Sequence, residues 1–218
     1  MNTILVPIKN LAGAKQRLAG MLTVERRRDL AEAMVGDVLD TLSQLDQPES
    51  VSVVTRDALV TMLASAYGFD IIADRENAGE TAAIAMATNA CLNRGSAGVL
   101  VIPADVPLVT ARDVKTILDA APKRGAVLVP AADGRGTNAI LRRPPDLFPA
   151  RFGNDSFLPH LQSARRTGCE VVILELPGIA LDVDRPDDLA ALLAAGGSTR
   201  THHLLRSWQA VEATHSSP

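Results

Sequence analysis

The stretch Val99–Leu108 reads VLVIPADVPL, and its reading decides the fold. Together with Gly98 it opens on a near-continuous apolar run, Gly98–Ile102 (GVLVI). Such a run fits a strand of a parallel sheet covered on both faces. Asp105 follows directly. In an open α/β sheet, ligand binds beyond the carboxyl ends of the strands, where this aspartate falls.

The same alternation of strand and helix extends in both directions. Toward the N-terminus, Thr3–Ile8, Val51–Thr55 and Asp70–Ala73 read as strands. A polar loop, Asn10–Met21, follows the first of them, and Thr23 caps a long helix. Its apolar stripe is Leu30, Met34, Val38, Leu42 and Leu45, with Pro48 just past its end. Asp57–Tyr67 and the Ala-rich Glu80–Leu92 read as further helices, as does Thr110–Ala121. Toward the C-terminus, Ala126–Pro130 and Asn138–Arg142 read as strands around the loop Ala132–Thr137. Ser156–Thr167 is a helix, Glu170–Leu176 a strand and Pro186–Ala195 a short helix. Repeated units of this kind predict one α/β domain over residues 1–195, Rossmann-like, with a mostly parallel central sheet and helices on both faces. Residues 196–218 form a tail, helical over Arg200–Val211 and frayed at Ser216–Pro218.

The whole chain bounds the function. Its 218 residues suit one domain with an ample core, and 47% hydrophobic residues is the globular range. A net charge of −3 argues against a general nucleic-acid binder. Cys91 and Cys169 form no C-x-x-C pair, which points to a reducing cytoplasm. The start, MNTILVPIKN, is too short an apolar run for a secretion signal, and no later segment reaches a membrane span's length. His160, His202 and His203 have no partners at zinc-ligand spacing, so no zinc site is expected.

Several segments carry candidate chemistry. Asp105 is either a ligand for a divalent ion near nucleotide phosphates or a loop aspartate that starts a turn before Pro107. In Leu181–Asp188 (LDVDRPDD), Asp182 and Asp184 are two apart, so an extended backbone puts both carboxylates on one side. A cation would relieve their repulsion. Asp187 and Asp188 fall in the first turn of the next helix and complement its dipole. The loop Pro7–Leu18 carries Lys9, Lys15 and Arg17 around Gly13, which suits a triphosphate or is an ordinary solvated basic loop. In Ala78–Thr81 (AGET), Gly79 allows close approach to a flat base. Glu80 either accepts from guanine's N1–H and amine or simply begins a helix. Finally, Gly134–Asn138 (GRGTN) and Phe152–Phe157 (FGNDSF) are turn-like. Ser156 there begins a helix, either offering free N–H groups to a phosphate with help from Thr137, or acting as a plain N-cap.

Taken together, these segments resemble the CofC/FbiD family, guanylyltransferases of coenzyme F420 biosynthesis. The pieces are VPIKNLAGAKQRL (Val6–Leu18), TRD (Thr55–Asp57), VIPADVPL, GTNAIL with Thr137, FGNDSF and LDVDRPDDL, in order over about residues 2–195. The resemblance implies a nucleotidyltransferase fold, GTP, Mg²⁺, and an acceptor among 2-phospho-L-lactate, phosphoenolpyruvate and 3-phospho-D-glycerate. It implies that Asp105, Asp182 and Asp184 hold the metal. It assigns Asp105, Lys15 and Arg17 to catalysis, with Lys9, Gly13, Gly79, Glu80 and Pro103 on the nucleotide and Thr137, Gly153 and Ser156 on the acceptor's phosphate. A homodimer, and hand-over of product to the next pathway enzyme, are compatible with it. Many members read Gly-Leu-Asn where this chain has Gly79-Glu80-Thr81. That departure bears on the base contacts and on acceptor choice, with 3-phospho-D-glycerate as a variant acceptor. The competing readings are a nucleotide-sugar glycosyltransferase, which shares a D-x-D pair and an open sheet, and a non-catalytic nucleotide-binding module.

Overall fold

In the computed structural model, residues 1–45, 50–76, 78–153 and 155–215 are described. The expected Pro48 stop and the frayed Ser216–Pro218 lie outside them. Seven strands form one sheet: β1 (Asn2–Pro7), β2 (Ser50–Thr55), β3 (Asp70–Ala73), β4 (Gly98–Val101), β5 (Gly125–Pro130), β6 (Thr137–Arg143) and β7 (Glu170–Ile173). Their spatial order is β3-β2-β1-β4-β6-β5-β7. The neighbours β1, β2, β3 and β4 are parallel, as are β5 and β7. β6 alone is reversed, antiparallel to both β4 and β5.

Alternation within the strands makes the two faces. In β4, Val99 and Val101 face one apolar layer while Leu100 and Ile102, just past the strand, face the other. The first layer packs on α3 (Glu80–Asn93) and α5 (Phe157–Arg166) through Ile84, Ala87, Leu161 and Ala164. The second packs on α1 (Val24–Ser43), α2 (Ala58–Ala66) and α4 (Ala111–Asp119). This burial on both faces explains why β4 is apolar throughout instead of alternating.

The helix starts follow local chemistry. Thr23 accepts from Arg26 N–H, and Thr110 with Asp113 closes a reciprocal capping box, each cap worth about 1 kcal/mol. Asp57 caps α2 by accepting from Leu59 and Val60, while its other oxygen accepts from Leu11 N–H at 2.9 Å. One carboxylate thereby ties the loop after β1 to the start of α2, just past the neighbouring strand β2, which accounts for the TRD segment.

Three details differ from the sequence reading. The strand expected over Glu170–Leu176 stops at Ile173, because Pro177 opens a short helix, α6 (Pro177–Ala180), for which Leu176 is the N-cap. Ser156 precedes α5 but its side chain does not cap it. The expected loop Asn10–Met21 winds into two 3₁₀ turns, Leu11–Gly13 and Gln16–Leu18. α7 (Pro186–Ala195) falls where expected.

Residues of the tail form α8 (Arg200–His215), which lies against α1. Asp37 of α1 is buried and receives hydrogen bonds from Arg200 N–H (2.6 Å), Thr201 N–H (3.0 Å) and the Thr201 hydroxyl (2.6 Å). Leu205 joins Leu30, Met34, Leu189 and Leu192 in a third apolar cluster, and Arg26 stacks over Trp208. Replacing Asp37 with Ala leaves buried donors unsatisfied and uncaps α8. The unfolding free energy should fall by roughly 2 kcal/mol or more, read from urea midpoints at unchanged slope. Among the described residues no helix is long and apolar enough to cross a membrane.

Candidate active site

Two clefts meet at the carboxyl ends of the strands, as the position of Asp105 predicts. The first, about 340 Å³, is walled by the loop after β1, including Gly13 and Lys15, and by Asp74, Gly79 and Ala83. The second, about 560 Å³, is walled by Thr137, Gly153, Ser156, Asp182 and Arg135 among others. Lys9, Glu80, Pro103, Asp105 and Asp184 border both. Every residue assigned from the sequence to catalysis, metal, nucleotide or acceptor therefore lines at least one of these two adjoining clefts.

At the junction stands Lys15. It is held between the two 3₁₀ turns in a left-handed backbone conformation, φ 51° and ψ 44°, unusual for a residue with a Cβ. Its ammonium is 2.8 Å from Asp105 Oδ2 and 2.8 Å from Asp184 Oδ1, with the side chain only 8% exposed. Burial alone would lower the Lys15 pKa, but the charges of Asp105 and Asp184 outweigh it and hold it above the usual lysine value. Desolvation likewise works to raise the Asp184 carboxyl, yet Lys15 and Arg17 (3.1 Å from Asp184 Oδ2) draw it below the ordinary range.

Asp182 behaves differently. Burial raises its pKa, its bond from Asn138 opposes that rise, and the negative charges of Asp105 and Asp184 add to it. Asn138 Nδ2 donates to Asp182 Oδ1 at 3.0 Å and also to the carbonyls of Ile179 and Ala180. The backbone of the DVD segment is fixed from both sides: Val183 N–H donates to Asp105 carbonyl, and Asp188 accepts from Asp184 N–H at 2.9 Å and from Arg185 N–H. Asp188 thus serves the segment as well as the start of α7.

The three aspartates do not converge as they stand: among the described residues no three acidic, imidazole or thiol groups could hold a metal together. The physical reason is that the Lys15 ammonium fills the space between two of them while Asn138 holds the third. The donor set nonetheless fits Mg²⁺. Two hard carboxylates already share one cation, Lys15's ammonium, and Asp182 nearby carries negative charge that is incompletely offset.

The remaining residues divide between the clefts. Gly79 heads α3 at φ +100°, a conformation that demands glycine. A Cβ at Gly13 would meet no protein atom within 4 Å, so only an occupant of the groove would feel it. Glu80 pairs with Lys9 at 3.6 Å. Burial raises its pKa, Lys9 opposes, and Asp105 and Asp184 raise it further, so it belongs electrostatically to the central cluster as well as to the first cleft. On the acceptor side, Ser156 Oγ accepts from Thr137 N–H at 3.1 Å. The α5 start offers fewer free donors than expected, because Phe157 N–H bonds Arg135 carbonyl and Pro159 has none.

Two residues at or behind this wall have roles that the sequence reading did not assign. Asn138 sits inside the GTNAIL segment, and its side chain is the link between α6 and Asp182. His160, 1% exposed, joins Thr137 Oγ1 to Arg151 N–H. Burial, and to a lesser degree the Arg142 charge, lower its pKa to about 4. The unfolded chain, with a histidine near 6.5, takes up a proton first as the pH falls. The stability from keeping His160 neutral is therefore complete above about pH 6.5 and lost on approach to pH 4, roughly 3 kcal/mol in all. Unfolding free energies measured across that interval should fall with acid, and the slope should flatten in His160→Gln.

Comparison with known proteins finds relatives over nearly the whole chain. The family model described as "Guanylyl transferase CofC like" matches residues 2–218. A phosphoenolpyruvate guanylyltransferase of Roseiflexus castenholzii is 38% identical over 204 residues, covering 94% of this chain and 93% of the relative. A 2-phospho-L-lactate guanylyltransferase of Methanothermobacter thermautotrophicus is 30% identical, covering 93% and 88%. Among solved structures, a Desulfovibrio desulfuricans chain provisionally described as a nucleotide-diphospho-sugar transferase superposes with a TM-score of 0.79 at 22% identity, covering 96% of each chain. That likeness speaks for the fold alone.

Proposed function

This chain belongs to the CofC-like guanylyl transferase family, and from that premise we propose that it transfers GMP from GTP to a phosphorylated three-carbon acid, releasing pyrophosphate, as a step of coenzyme F420 biosynthesis. The observation that carries the reading is the Lys15 ammonium, 2.8 Å from both Asp105 and Asp184 where the two clefts meet. A nucleotide in the first cleft and an acid in the second would bring their phosphates together at this point.

The reaction joins two anions, so charge repulsion is its main obstacle. An oxygen of the acceptor's phosphate attacks the α-phosphorus; a P–O bond forms, and the bond to the β-phosphate oxygen breaks. The acceptor phosphate is already ionised near neutral pH, so no protein base has to remove a proton. Lys15, Arg17 and Lys9 would meet the triphosphate's charge and orient it as well as attract it. Asp105 and Asp184, with Asp182 beside them, would hold Mg²⁺. Bound there, the ion would neutralise phosphate charge. Glu80, next to Gly79 at the head of α3, supports guanine recognition through a carboxylate that meets two N–H groups. Hand-over to the next enzyme of the pathway fits a product whose new bond is a phosphoanhydride.

Phosphoenolpyruvate is the first acid to test, being the substrate named for the relative at 38% identity, followed by 2-phospho-L-lactate and 3-phospho-D-glycerate. The protein is incubated with GTP, Mg²⁺, one acid at a time and the pathway's next enzyme, and pyrophosphate is measured. Release that requires both GTP and one of the acids is expected. Release of a nucleoside diphosphate from a nucleotide sugar instead would make it a glycosyltransferase, and no turnover with any acid would sink the reading.

A further inference from the structure

His160 takes part in no step above, yet both of its ring nitrogens are engaged at the wall of the second cleft. Nε2 is 2.8 Å from the backbone nitrogen of Arg151. A backbone N–H can only donate, so Nε2 carries no proton. A neutral ring with Nε2 bare has its proton on Nδ1. Nδ1 is 2.9 Å from Thr137 Oγ1, so the ring is the donor and the hydroxyl oxygen the acceptor. Phe152 packs edge-on against the ring, at 5.3 Å between centroids, and Thr81 in turn bonds both N–H and C=O of Phe152. The imidazole is thus fixed in place and in tautomer.

The consequence lies in the hydroxyl. With Nδ1–H directed at its oxygen, Thr137 keeps its own proton to give. The opposite tautomer would draw that proton to the ring and turn a lone pair toward the cleft. Ser156 repeats the pattern, since its oxygen accepts from Thr137 N–H. Two buried hydroxyls bordering the cleft therefore both have a donor at their oxygen and a proton to donate. That arrangement matches an oxyanion and disfavours a cation.

We propose that His160 is a positioning residue for the acceptor, donating to Thr137 so that the Thr137 hydroxyl points its proton at the phosphate or carboxylate held in the second cleft. The identity of that anion rests on the guanylyltransferase reading.

Two substitutions separate the ring's two bonds. In His160→Asn the amide nitrogen takes the place of Nδ1 and still donates to Thr137. In His160→Gln the amide oxygen takes the place of Nε2 and still accepts from Arg151, but the donor to Thr137 is lost. The expected result is a KM for the acid raised roughly tenfold or more in His160→Gln, the worth of one hydrogen bond to a charged group. The KM for GTP should stay within about twofold in both variants, and the acid KM of His160→Asn close to wild type. The double variant Thr137→Val/His160→Gln should be no weaker for the acid than Thr137→Val alone. Equal acid KM values in wild type and His160→Gln, or additive losses in the double variant, would overturn the proposal. Nitrogen-15 shifts of the imidazole in the substrate-free protein give a readout independent of turnover: the Nδ1–H tautomer is expected, and the Nε2–H tautomer or an imidazolium at neutral pH overturns it. A wild type that releases no pyrophosphate with any acid defeats the parent reading and the acceptor role with it, whereas turnover with an unmoved acid KM defeats the His160 role alone.

Discussion

Asp105→Asn is expected to lower pyrophosphate release from GTP by three orders of magnitude or more, roughly the size seen when a central electrostatic contact is removed from a transferase or hydrolase site. The change keeps the side chain's shape and removes its charge. Lys15 then faces one carboxylate instead of two, and the hard-oxygen pair that suits Mg²⁺ is broken. Folding should change little. Asp105's backbone carbonyl, which receives Val183 N–H, is untouched, and its carboxylate is partly exposed. A saturating pyrophosphate assay beside a thermal melt separates the two effects. An Asp105→Asn protein of wild-type activity would remove the aspartate from the mechanism.

Lys15→Met is the second large effect, an expected loss of roughly a hundredfold to a thousandfold in kcat/KM for GTP. Methionine keeps the apolar stem and tolerates the left-handed backbone no better and no worse than lysine, so the change reports on the ammonium. It also removes the cation that Asp105 and Asp184 share, leaving Arg17 beside Asp184 but no ammonium between the two carboxylates. The variant's melting temperature should then rise with added Mg²⁺ more steeply than the wild type's, because the ion relieves a repulsion that Lys15 otherwise relieves. A Mg²⁺ response no greater than that of the wild type would show that the two cations do not compete for this place.

Much of this was readable from residue order, for reasons that differ by element. The GVLVI run announced a strand buried on both faces because α-helices cover both sides of β4. Thr23 and Thr110 announced helix starts because their caps are made within three residues. α6 escaped notice because four residues are too few to show a period, and the strand reading ran up to Leu176, its N-cap. In the site, the carboxylates and basic residues were legible as types, but their convergence was not. Lys15 meets partners 90 and 169 residues away, a pairing that no local pattern encodes. Asn138 and His160 were passed over because each looks ordinary in its own element, and their roles come from which donors and acceptors the fold sets opposite them.

The bond between Asp37 and the head of α8 has a further consequence for how the chain is made. The two partners are 163 residues apart. At a synthesis rate of about 5–20 residues per second, Asp37 is made roughly 8–33 seconds before Arg200. Through that interval α1 carries a bare carboxylate beside Leu30 and Met34, on a face that α8 will later cover. The nascent chain thus has a sticky, charged seam that closes only once Arg200 and Thr201 are available to cover it.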